Sequence, residues 1–217
     1  MRAPAKPQDR ILDAAMRVFR RHGFRRSSIE QAAEAAGLTR QALYHHFDSK
    51  EALFRAVIAR LYESALSAEI AAAEAEERAG NGLAEILVAE ISARLRQLVS
   101  SLEGSPHLEE LFSEHLAQAP DLYQTYASRY AEQVAATIAR VCRRTKLTLH
   151  RGLNPRALAR LVEMAVHGTK SAYPSMLPAD AFLKDLGVML RMLIAGAVVS
   201  PAKQPAKKSR RKRENRT

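Results

Sequence analysis

The sequence predicts an all-α fold, a small N-terminal unit of three helices followed by a larger helical bundle. Three observations lead there. Ala-, Leu-, Glu- and Arg-rich stretches dominate the 217 residues, with apolar side chains recurring every three or four positions, and few segments read as strands. Residues 28–47, SIEQAAEAAGLTRQALYHHF, read as two short helices around a tight turn. The apolar share of 47% is enough for a substantial core.

The first helix is expected over about Gln8–His22, with Ile11, Leu12, Ala15, Val18 and Phe19 inward and Gly23 as its stop. The second starts after Ser28, which has capping-box spacing to Gln31. Ala33 is small enough for a second helix to cross close, and Gly37 supplies a left-handed turn residue. The third helix is expected over about Arg40–Phe47, with Thr39 as N-cap and Leu43 returning to the core. A fourth opens at Asp48–Ser49, where Asp48 and Glu51 have the same spacing. It runs through Leu53, Phe54, Val57, Ile58, Leu61 and Leu66 to about Arg78. After a break at Gly80–Gly82, helices are expected over about Leu83–Leu102, Pro106–Ala117, Pro120–Arg144, Pro155–Thr169 and Pro178–Ala197, with prolines near their first turns. The resulting organisation is an arm at 1–7, a head at 8–67 with its motif at about 30–49, a body at 68–200 and a disordered basic tail at 201–217.

Charge divides along the same lines. Residues 1–60 carry twelve Lys/Arg against six Asp/Glu, residues 61–200 carry fourteen against sixteen, and residues 201–217 carry eight against one. A basic head and tail around a near-neutral body point to a polyanion partner met by the ends of the chain. Arg2, Lys6, Arg10 and Lys207–Arg213 would then add non-specific affinity by counterion release, or the tail would only solubilise. The single cysteine, Cys142, rules out an intramolecular disulfide, which fits a cytoplasmic protein, and is read as a structural thiol. The N-terminal MRAPAKPQDR lacks the apolar stretch of a secretory signal, and no apolar run reaches the ~18 residues of a membrane span.

The turn geometry leaves Arg40, Gln41, Tyr44 and His45 on the outer face of the third helix, where a recognition helix meets the major groove. Arg pairs with guanine and Gln with adenine by two hydrogen bonds each, worth roughly 1–3 kcal/mol of discrimination. Thr39, Tyr44 and Lys50 stand at helix ends, where phosphates are favoured. His45 reads equally as a DNA contact or a solvent-facing side chain, and His46 is expected to pack or cap beneath the helix. Adjacent histidines diverge by about 100° on a helix and make a poor metal site.

Ile11–Ile58 resembles the N-terminal DNA-binding domain of TetR-type transcriptional regulators. The segments that carry the resemblance are RILDAAMRVFRRHGF, SSIEQAAEAAGL, TRQALYHHF and SKEALF. It implies a helix-turn-helix head on a helical ligand-binding and dimerisation domain. It further implies a homodimer that binds a palindromic operator in double-stranded DNA, usually as a repressor, and is released by a small molecule. By the same resemblance Ser28 caps the second helix near a phosphate, Thr39, Tyr44 and Lys50 reach the backbone, and Arg40 and Gln41 read bases. Gln41 and Ala42 stand where Gly and Thr are common in that family, so the base contacts do not carry over.

An effector pocket is expected among the helices of Leu83–Arg144, with Leu111, Phe112, His115, Tyr123, Tyr126 and Tyr130 as lining candidates and an apolar or aromatic ligand. The last two helices are expected to form the dimer face, Leu161, Val162, Ala165 and Val166 on one and Leu186, Leu190, Leu193 and Ala197 on the other. The rival readings are weaker. His107, Glu110 and Glu114 share a helix face that a metal-dependent enzyme would use, yet no second ligand cluster, phosphate loop or nucleophile motif accompanies them, so no catalytic residue, metal or cofactor is expected. A nucleoid-type protein that coats DNA fits the basic tail but makes no use of a formed recognition helix.

Overall fold

The computed structural model describes residues 7–199, so the expectations for the arm through residue 6 and for the tail at 201–217 fall outside it. Nine α-helices lie within the described residues: α1 (Pro7–His22), α2 (Ile29–Ala36), α3 (Arg40–Tyr44), α4 (Lys50–Arg78), α5 (Leu83–Leu102), α6 (Leu108–Gln118), α7 (Pro120–Thr145), α8 (Pro155–Ala172) and α9 (Ala179–Ala197). Among the described residues one pair of strands, β1 (Thr148–Leu149) and β2 (Val198–Val199), is antiparallel and clips the end of α9 to the α7–α8 connection.

Local chemistry sets the head. The inward face of α1 is buried, as its periodicity demands, through Ile11, Leu12, Ala15, Val18 and Phe19. Phe19, Phe24 and Phe54 form an aromatic cluster, with Phe19 edge-on to Phe54 at 5.1 Å. At α2 the Ser28 hydroxyl accepts from the Gln31 N–H while the Gln31 side chain accepts from the Ser28 N–H, a complete capping box. Gly37 at φ +69° turns the chain, and the Leu38 N–H returns to the Ala33 carbonyl at 2.9 Å.

Four helix boundaries differ from the sequence reading. α3 ends at Tyr44, because beyond it the His46 and Phe47 N–H groups both turn back onto the Leu43 carbonyl, closing the helix in a turn. α4 is capped by Ser49, whose hydroxyl accepts from the Ala52 N–H, rather than by Asp48. Pro106 and Pro178 precede their helices, whereas Pro120 and Pro155 open theirs. α4 crosses the expected head–body boundary at residue 67 without a break.

Two apolar cores follow. The first joins α1–α3 and the first half of α4 to Leu102, Leu111, Tyr126 and Tyr130 of the body. The second unites α5, the later half of α7, α8 and α9 around Phe182, Ile91, Ile138 and Leu158. Most of the side chains assigned to the dimer face belong to this second core. Val162, Val166, Leu186, Leu190 and Ala197 are buried within the chain, and Leu161, Ala165 and Leu193 are half-buried. Both helices carry apolar residues on two faces, and the Leu- and Val-rich face is taken by their own bundle. The outward face is Met164 on α8 with Val188, Met189 and Met192 on α9, Met192 being 72% exposed.

Candidate functional site

The outer surface of α3 is built as the helix-turn-helix spacing requires. Leu43 is fully buried and Ala33 nearly so, which fixes α3 against α2, and the Thr39 hydroxyl caps α3 by accepting from the Ala42 N–H at 3.1 Å. Thr39, Arg40, Gln41, Tyr44 and His45 are exposed, and Ser28 is half-buried at the cap of α2. Two of these side chains are already engaged. Arg40 pairs with Glu30 at 2.8 Å and lies over the Tyr44 ring, its guanidinium 5.4 Å from the centroid. The Glu30 carboxyl is held below the usual range by its own backbone N–H and by Ser28, with Arg40 adding a smaller pull. Lys50 is turned inward. Its ammonium donates to the Phe24 and Arg25 carbonyls at 3.0 and 3.4 Å and sits 4.5 Å from the Phe24 ring centroid, so one of three N–H donors is left for a phosphate. His46, expected beneath the helix, is exposed instead, because the turn that ends α3 at Tyr44 swings it outward.

The connection between α1 and α2 is fastened to α6. Glu110 accepts the Arg25 backbone N–H at 2.8 Å, and Glu114 accepts from Arg25 Nε at 2.7 Å. The Ser105 hydroxyl donates to the Arg20 carbonyl, and Arg20 donates to the Glu103 carbonyl. Gly23, at φ +76°, passes so close to Glu110 that a Cβ there would collide with its carboxylate. The trio His107, Glu110 and Glu114 thus joins head to body. Among the described residues no group of three or more His, Cys, Asp or Glu side chains is placed to hold a metal.

Behind this joint lies a cavity of about 280 Å³. Leu111, Phe112, His115, Tyr123 and Tyr130 line it. Tyr126 does not. Its ring stacks on Tyr62 at 4.9 Å and its hydroxyl, pushed up to about 12 by burial and by its bond to Glu63, donates to that carboxylate at 2.7 Å. The cavity also reaches beyond the Leu83–Arg144 stretch. Met16, Phe19, Phe54, Val57 and Ile58 of the head close one side, and Glu163, His167 and Lys170 of α8 close another.

Its polar wall was missed in the sequence. Arg94 is buried, donates to both oxygens of Glu163 at 2.9 and 3.1 Å, approaches Glu69 at 3.3 Å and lies 4.6 Å from the Tyr130 ring centroid. Burial lowers Lys170 to about 8, with Arg94 acting in the same direction and Glu163 against it. Burial likewise lowers His115 and His167, keeping both imidazoles neutral at neutral pH. A signal was available, since Glu90 and Arg94 fall in register with the apolar stripe Ile86, Leu87, Ile91 and Leu95, as Glu69 does with Ala65, Leu66 and Ala73. Cys142 is half-buried on α7, its thiol pushed up by burial.

A capped helix-turn-helix with an exposed basic and amide face, joined by one long helix to a hollow helical body, defines a DNA-binding regulator fold. Residues 11–57 match the model of bacterial regulatory proteins of the tetR family. The chain is 37% identical over 84 residues to the HTH-type transcriptional repressor AcnR of Corynebacterium efficiens, a match covering 39% of this chain and 40% of that one. It is 30% identical over 133 residues to the repressor Rv1474c of Mycobacterium tuberculosis, covering 61% and 63%. The aligned segments thus span less than two thirds of these relatives. The structure of SmeT, the repressor of the Stenotrophomonas maltophilia multidrug efflux pump SmeDEF, superimposes with a TM-score of 0.58 at 23% identity over 93% of this chain and 95% of that one, a likeness of fold. Residues 11–57 thus carry a tetR-family DNA-binding domain, and the chain as a whole shares the fold of SmeT.

Proposed function

We propose that this chain is a cytoplasmic, sequence-specific transcriptional regulator that binds a palindromic operator as a homodimer and acts as a repressor released by a small molecule. The observation that carries the DNA reading is the formed motif itself, with Arg40, Gln41, Tyr44 and His45 presented on one exposed surface by a buried Leu43 and a capped α3. Repression is supported by the names of the relatives AcnR and Rv1474c. Two-fold pairing is supported by the outward Met164, Val188, Met189 and Met192, an apolar patch on two neighbouring helices that suits a self-complementary contact. Ser28, Thr39, Tyr44 and the remaining donor of Lys50 would hold phosphates, while Arg40 exchanges Glu30 for a base edge. Release by a ligand is supported by a cavity whose wall is shared between head and body.

Selection of DNA from a random pool, with Arg40→Ala beside the unaltered chain, tests this. The expected product is a palindrome whose half-sites lose definition in the variant. Tight, salt-sensitive binding with no recovered motif would replace the regulator by a DNA-coating protein.

A further inference from the structure

Of the charged side chains that line the cavity, two are cations, Arg94 and Lys170, and one is an anion, Glu163. Both Glu163 oxygens are occupied by Arg94. Among the described residues Lys170 has neither a hydrogen-bond nor an ion-pair partner, although it is largely enclosed. Lys170 therefore presents an unpaired ammonium to this space, and an unpaired buried donor is costly. The rest of the wall is mostly apolar, with Phe19 and Phe54 from the head and Phe112 from α6, and with His115 and His167 among its polar groups.

We infer that the cavity takes an amphipathic organic acid, its carboxylate received by Lys170 and its hydrocarbon body lying against Phe19, Phe54 and Phe112. An amine is disfavoured, because the one carboxylate that lines the cavity among the described residues, Glu163, is already committed to Arg94 and the incoming ammonium would meet Lys170. A neutral hydrocarbon would fill the apolar part and leave Lys170 unpaired. The lowered Lys170 agrees with this arrangement, since an enclosed ammonium without a counter-ion is destabilised and a bound carboxylate would raise it again.

This rests on the ligand-responsive reading above, and the test separates the two. Decanoate, phenylbutyrate and naphthylacetate are each titrated calorimetrically into the full chain beside the matching primary amide and the matching amine. At least one acid is expected to bind about tenfold or more tightly than its amide, and its amine more weakly still. In Lys170→Met that acid is expected to fall to the affinity of its amide, with the urea midpoint of the variant confirming that it is folded. Amides or amines that bind as well as the acids overturn the acid assignment and leave a ligand-responsive regulator. An acid preference that survives Lys170→Met overturns the role of Lys170. A cavity that takes none of the three forms overturns both readings.

Discussion

Replacing Glu69 by Gln is expected to stabilise the protein progressively as pH rises. Glu69 is fully buried in the middle of α4, with Arg94 at 3.3 Å and Glu90 and Glu163 also near. One guanidinium faces three acids and gives its aligned hydrogen bonds to Glu163, so neither Glu69 oxygen has a hydrogen-bond partner. The short Arg94 contact and the burial pull in opposite directions. Burial prevails because Arg94 is shared, and the Glu69 carboxyl is pushed up to about 9. The sign follows from linkage. A carboxyl raised in the folded state is protonated there while it ionises in the unfolded chain. Its contribution is intact below the ordinary value of 4.5 and is lost as pH climbs toward 9. Each pH unit in that window costs about 1.4 kcal/mol, so Glu69 weakens the fold by about 3 kcal/mol at neutral pH. Gln keeps the shape and cannot ionise, and any packing effect it has is independent of pH. Urea unfolding followed by far-UV circular dichroism, on both proteins from pH 4.5 to 7, should show the variant gaining about 3 kcal/mol over the parent across the range. A difference that stays flat would mean that Glu69 is ionised in the folded state and paired with Arg94, and would refute the reasoning.

Two further perturbations probe the joint and the outer face. Gly23→Ala should destabilise more than Gly37→Ala in the same urea assay. Both have positive φ and lose about 1–2 kcal/mol on that account, but a Cβ at Gly23 also strikes Glu110 whereas one at Gly37 meets open space; equal losses would remove the close approach from the argument. Met192→Lys places a charge on a side chain 72% exposed, so it should leave the stability within about 0.5 kcal/mol while converting the proposed dimer to monomer by light scattering. A dimer that persists would move the interface elsewhere.

The head was legible in the sequence because its determinants are local. Ser28 with Gln31, Thr39 and Gly37 each fix a helix end within four residues, and the 3.6-residue stripe of α1 needs no partner to be read. The body was legible as helices but not as surfaces. α8 and α9 each carry two apolar faces, and only the packing of the bundle decides that Val162 and Leu190 turn in while Met164 and Met192 turn out. The tyrosines of α7 show the same limit on a smaller scale. Tyr123 and Tyr126 diverge by about 60° around the axis, enough to send one to the cavity and the other to Glu63. Lys170 carried no local mark at all, since its enclosure comes from contacts with groups far away in the chain.

The placement of the cavity constrains how occupancy could reach the DNA surface. A ligand shifts an equilibrium only by its differential affinity for two arrangements, so it must touch something that differs between them. Phe19 and Phe54 are at once cavity wall and head core, and Leu43, which orients the recognition helix, is buried in that same core. α6 carries Leu111, Phe112 and His115 toward the cavity and Glu110 and Glu114 toward Arg25. A ligand pressing on α6 therefore loads the bonds that hold the α1–α2 connection, and one pressing on Phe54 loads α4, which runs unbroken from Lys50 to Arg78. Both routes end on the head within one layer of side chains. α8 is itself a cavity wall through Glu163, His167 and Lys170 and carries Met164 outward, so occupancy also reaches the proposed pairing face through that one helix. Under the proposed function, a ligand that tilts the heads of an intact dimer and one that separates the two chains are therefore told apart by light scattering with and without the ligand, the first leaving the mass unchanged and the second halving it.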